Sequence, residues 1–170
     1  MRLENSRLRT VSFWLALLIV GVTIILMFAV YFRVLQLHVL VEGYNIHHWL
    51  SWIGTFFIAF FTPAYYIAKR RYPQRYQTLL KAHVFGNLIS VMFVSIHFTQ
   101  QISRPPQSYP ELGTGIVLYA AMILLILTGF FLRFQAVKNL TRNWRFIHTS
   151  VAVTFYLIIL VHVLHGLGFI

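Results

Sequence analysis

The stretch FIHTSVAVTFYLIILVHVLHGLGFI, residues 146–170, contains no Asp, Glu, Lys or Arg. A helix rises about 1.5 Å per residue, so roughly 20 such residues cross the hydrocarbon core of a bilayer. Four further runs are also predominantly apolar, with Arg33, Lys81 and Arg133 near the ends of three of them: Val11–Leu35, Trp49–Ala68, Leu79–Ile102 and Gly113–Phe134. The fold class they predict is all-α, an integral membrane bundle of five transmembrane helices forming a single domain over residues 1–170. The first run is longer than the apolar region of a signal peptide, lacks a small-x-small cleavage site and is closed by Arg33, so it reads as a span. Pro63 falls inside the second run, where it is expected to kink the helix.

Composition supports this reading. Of the 170 residues, 59% are hydrophobic and only 10% are charged. A soluble domain carries about 25% charge, which this chain lacks for covering its surface. An ordinary soluble enzyme, a disordered chain and a nucleic-acid-binding domain are therefore excluded. The net charge of +11 comes from basic residues placed between the apolar runs. There they act as topology signals, and no nucleic-acid partner is expected. There is no cysteine, which rules out thiolate metal sites, iron–sulfur clusters and covalently attached c-type haem.

The connecting segments set the orientation. Arg2, Arg7 and Arg9 precede the first run. Lys69, Arg70, Arg71, Arg75 and Lys81 lie around the second connection, and Arg133, Lys138, Arg142 and Arg145 around the fourth. The other two connections hold Glu42 and Glu111, with Arg33 and Arg104 as their basic residues. The positive-inside rule then places the N-terminus in the cytoplasm and the C-terminus outside, in a multi-pass protein of the cell membrane. The segment Ser103–Pro110 is proline-rich and reads as a short extended connector.

Ionisable residues within spans are costly and usually functional. His83 and His97 are 14 residues apart in the third run, and His148 and His162 are 14 apart in the fifth. Fourteen residues turn about 1,400°, close to four full turns, and rise about 21 Å. Each helix thus carries two histidines on nearly one face, one toward each leaflet. Helices two crossings apart run in the same direction, so His83 is expected level with His148, and His97 with His162. Two imidazoles at one level suit the axial positions of a haem iron, whereas tetrahedral zinc needs three or four ligands. The expected cofactors are two haem b groups in a core over approximately residues 79–170. Gly86, three residues after His83, is a point where a ring approaches the backbone or a helix packs. Arg145 and Lys81 on the inner side, with Arg104 or Arg33 on the outer, are candidate partners for propionates. His165 lacks a counterpart at its spacing in the third run, so His162 is preferred. His38, His47 and His48 read as solvated, or as bordering an outer site for quinone, metal or oxygen.

The stretch Asn143-Trp144-Arg145-Phe146-Ile147-His148, followed by Tyr156, His162 and His165, resembles the ferric reductase-like transmembrane family. Leu127-Thr128 in the preceding run is similar to a Leu-Thr pair of that family, and the helix with His83 and His97 resembles its other ligand helix. The resemblance spans roughly residues 79–165. It implies two b-type haems that carry electrons across the membrane from a cytoplasmic flavin donor. The family has six helices and many members continue into flavin and nicotinamide domains, whereas this chain shows five runs and no G-x-G-x-x-G segment. The donor is therefore expected to be a separate flavoprotein, dehydrogenase subunit or quinol. The paired spacing also resembles cytochrome b of quinol-oxidising complexes, giving the alternative of a quinone-reactive subunit that anchors a dehydrogenase. A haem-free small transporter or assembly factor is the alternative from another class.

Overall fold

The computed structural model describes residues 2–37, 39–105, 113–134 and 141–169. His38, most of the proline-rich connector, Glu111 and Lys138 lie outside the described residues. The chain divides into two compact units, Met1–Ser108 and Tyr109–Ile170.

The first unit holds α1 (Arg2–Tyr31), a small hairpin of β1 (Leu40–Val41) and β2 (Tyr44–Asn45), α2 (Ile46–Arg71) and α3 (Tyr76–Ile102). A 3₁₀ turn at Pro73–Arg75 leads from α2 into α3, and α3 packs against both α2 and α1. The second unit is an antiparallel pair, α4 (Gly113–Phe134) and α5 (Thr141–Gly166). All five helices are long and apolar enough to cross a bilayer. Their outward faces carry large apolar side chains such as Ile25, Phe56, Phe60, Ile67, Phe146 and Leu157, as contact with lipid requires.

The helix ends follow local chemistry. α1 stops at Tyr31 and not at Leu35, because Arg33 turns left-handed (φ +59°) and the Leu35 amide closes on the Ala29 carbonyl at 3.0 Å. α2 runs continuously through Pro63. α4 spans the whole run Gly113–Phe134. α5 starts at Thr141, five residues before its apolar stretch, since a helix extends into a polar flank without penalty. It ends at Gly166, with Gly168 left-handed (φ +76°).

The hairpin lies outside what periodicity reveals. Glu42 (φ +49°) and Gly43 (φ +84°) form its two-residue turn, both with positive φ as a type I′ turn demands. The Ile46 amide donates to the Val39 carbonyl at 2.9 Å, and Trp49 Nε1 donates to the Val41 carbonyl at 3.1 Å. These two bonds fix where α2 begins. Trp49, Trp52 and Tyr44 cluster at this end of α2. At the other end Lys69 lies over the Tyr65 and Tyr66 rings and Arg71 over Tyr72. Aromatic and basic residues at the two ends of one apolar helix are the pattern of membrane interfaces.

Within the first unit, close approach of α2 to α3 rests on glycine. A Cβ on Gly54 would lie 2.8 Å from the Ser90 carbonyl oxygen, a backbone atom that cannot give way. Gly54→Val is expected to destabilise the protein by about 1–3 kcal/mol through overpacking, whereas Gly21→Ala, where nothing lies within 4 Å, should be neutral. Thermal unfolding in detergent checks this, and equal melting temperatures for both variants would contradict the packing described.

Candidate functional site

Each histidine pair singled out from the sequence belongs to one helix, so each unit is taken by itself. In the second unit, His148 lies near the start of α5 and His162 near its end, and both are half-buried. Thr128 and Thr114 of α4 meet them. Thr128 Oγ1 is 2.8 Å from His148 Nδ1, and Thr114 Oγ1 is 3.0 Å from His162 Nδ1. The threonines are 14 residues apart, as the histidines are, so one antiparallel register generates both contacts. Glycine follows each threonine. A Cβ on Gly129 would lie 3.2 Å from His148 Cε1, and one on Gly115 would lie 3.5 Å from His162 Cε1. The unit therefore contains the same arrangement twice, a Thr-Gly pair on α4 opposite a histidine on α5.

The hydrogen bonds assign the tautomer of His148. The Thr128 hydroxyl is fully buried and donates to the Leu124 and Leu125 carbonyls at 2.8 and 3.1 Å. Its single proton is thus engaged, and toward the ring Oγ1 acts as acceptor. His148 Nδ1–H donates, which leaves the lone pair on Nε2. This is the state in which an imidazole ligates a metal through Nε2, its other nitrogen held by an acceptor. Trp144 packs on Phe131 at a centroid distance of 5.3 Å and joins the start of α5 to α4. An apolar groove lined by Gly113, Thr114, Val117, Leu157, Ile158 and Val161 runs beside the His162 pair. Arg145 and His165 are exposed, and the Arg145 carbonyl accepts from the Thr149 hydroxyl.

In the first unit, His83 is stacked under Tyr65, with ring centroids 4.4 Å apart and planes 16° apart. Asn87 Nδ2 donates to the His83 carbonyl at 2.8 Å and faces His83 Nδ1 at 3.0 Å, while the Thr62 hydroxyl donates to Asn87 Oδ1 at 3.3 Å. With the amide placed so, His83 Nδ1 accepts and Nε2 carries the proton, the reverse of His148. The space beside Gly86 is taken by the Phe57 ring, which a Cβ there would overlap. Arg33 donates to the Ser103 carbonyl at 3.3 Å and ties the end of α1 to the end of α3.

His97 lies with two histidines of α2. The ring centroids are 5.8 Å from His97 to His47, 5.3 Å from His97 to His48 and 4.3 Å between His47 and His48. One ring nitrogen from each falls within 4.8 Å of the others. His47 is 2% exposed, which corrects the expectation that it is solvated. Neighbours one residue apart on a helix do not normally face each other, so nothing in the spacing of His47 and His48 signals that both turn toward His97. The threonines left a readable trace, two Thr-Gly pairs at the histidine interval.

Comparison with known protein families, with characterised proteins and with solved structures found no match to this chain.

Thr128→Val keeps the shape of the side chain and removes the acceptor. An interhelical hydrogen bond inside a membrane is worth about 1 kcal/mol, which is about fivefold in a tautomer population. Nitrogen-15 spectra of histidine-labelled protein should show His148 mainly Nδ1-protonated, with a loss of that form in Thr128→Val. An unchanged His148 signal would contradict the assignment.

Proposed function

We propose that the chain is a membrane-embedded b-type cytochrome that carries electrons across the bilayer through two haem b groups. Each is held between one histidine of α3 and one of α5: His83 with His148, and His97 with His162. The observation that supports this most directly is the duplicated Thr-Gly/His arrangement of the second unit. A helix that needed histidine only for packing has no reason to repeat, at a 14-residue interval, a threonine on Nδ1 and a glycine against Cε1. The donor set fits a haem iron, because Nε2 of His148 is left with its lone pair and Nδ1 of His162, like that of His148, is met by a threonine. Bound haem supplies one-electron exchange at its iron.

The protein's own residues hold and tune. Thr128 and Thr114 fix the planes of the α5 rings, and the apolar walls around them keep water away and so help set potential. His83 takes the matching role once the Asn87 amide turns over, so that its oxygen accepts from Nδ1–H. That turn gives up the bond to the His83 carbonyl. In this reading Arg145 and Lys81 are the candidate partners for propionates on the inner side, and Arg104 or Arg33 on the outer. The basic cluster from Lys69 to Lys81 supports a reading in which the inner side is the cytoplasm, with the N-terminus inside and the C-terminus outside, in the cell membrane. The donor in this reading is a separate flavoprotein, dehydrogenase subunit or quinol, in keeping with the resemblance to the ferric reductase-like family.

Protein purified from cells supplied with haem should be red and give two haems per chain in a pyridine haemochrome assay. His148→Ala should retain one, and His165→Ala, which alters an exposed side chain, should retain both. Colourless wild-type protein would overturn the reading and leave a haem-free membrane protein.

A further inference from the structure

The first unit places three imidazoles together at the end of α2 and α3 that bears the hairpin. His47 is buried, while His48 and His97 are half-buried. Their convergence is built by separate parts of the chain. The type I′ turn at Glu42-Gly43, with the Ile46 and Trp49 bonds to the hairpin, sets the first turn of α2. Gly54 then lets α2 approach α3 closely enough for His97 to reach that turn.

We infer that His47, His48 and His97 form a binding site for a divalent first-row transition-metal ion that prefers imidazole nitrogen, zinc or copper above others. The ligand set is all nitrogen and holds no carboxylate, which disfavours calcium and magnesium. Nitrogens bound at about 2.0–2.1 Å in a tetrahedron lie about 3.3–3.4 Å apart. The three candidate atoms lie within 4.8 Å of one another, so closure needs movements of about 1.5 Å or less, within the range of side-chain rotation. Three protein ligands leave a fourth position, and one of the three, His48, also lines a cavity with Tyr44, Trp49 and Trp52. That is the pattern of a site whose fourth ligand exchanges.

The inference stands apart from the haem reading, and where that reading holds the two compete. An ion held by all three histidines takes His97 away from the outer haem, so metal and outer haem exclude each other. Occupancy of the site then decides whether the electron path extends to the outer leaflet.

The test uses the full chain in mild detergent, treated with chelator and titrated with Zn²⁺ by calorimetry, with haem content measured alongside. One ion per chain is expected, together with intense four-coordinate absorption bands when Co²⁺ replaces Zn²⁺. In haem-loaded protein Zn²⁺ should release one haem of two. His48→Ala removes a half-buried ligand at little risk to folding and should weaken Zn²⁺ binding more than tenfold, as should His47→Gln where it folds. His165→Ala should bind as wild type. Absence of stoichiometric binding, a weak octahedral Co²⁺ spectrum, or unchanged affinity in a folded His48→Ala protein would overturn the inference. Colourless protein that binds Zn²⁺ keeps it and overturns the haem reading, whereas red protein that binds none does the reverse.

Discussion

A histidine placed within a bilayer has two ring nitrogens to satisfy and no water to satisfy them. In the second unit one nitrogen is settled by a threonine of the neighbouring helix, and the settlement is made twice at the same interval. The bond from His148 Nδ1 to Thr128, itself tied to the Leu124 and Leu125 carbonyls, fixes the tautomer, the ring plane and the register of α4 on α5 together. Its energy is modest, about 1 kcal/mol, so its importance lies in selection and not in stability. It selects the imidazole with a free Nε2, and the proposed cytochrome function grows from that choice.

The first unit treats its histidines differently. His83 is covered by Tyr65 and faced by an amide nitrogen, so its Nε2 bears the proton until Asn87 turns. His97 is drawn to α2 by its neighbours there. His148 thus holds in advance the tautomer that the proposed ligation needs, while His83 would reach it only through rearrangement of Asn87. In the proposed cytochrome this asymmetry would give Asn87 and the α2 histidines a control over cofactor binding that the equal spacing of the two helices conceals.

Much of the architecture was legible in the sequence because span length and hydropathy are coarse properties. The run Gly113–Phe134 coincides with α4 at both ends, since Gly and Arg133 punctuate it. α5 was displaced toward its N-terminus because helical backbone continues past the apolar residues that reveal it. The hairpin is not legible in the sequence, as two-residue strands are too short to show alternation and Glu42 is an unusual residue for a left-handed turn position. The histidine intervals were visible, whereas the two Thr-Gly pairs that match them gain meaning only once α4 is paired with α5. The meeting of His47, His48 and His97 was not, because it depends on the rotation of α2 about its axis, which the hairpin sets and apolar periodicity does not encode. Gly86 was ambiguous in sequence, and here it receives the Phe57 ring.

The central claim is that α5 offers Nε2 of its histidines to haem iron with a second imidazole opposite. Low-temperature electron paramagnetic resonance of the oxidised, purified chain tests it most directly. The account predicts low-spin ferric signals typical of bis-imidazole ligation, with one of them lost in His148→Ala. A spectrum free of haem iron, or one that is entirely high-spin in the wild-type protein, would contradict it.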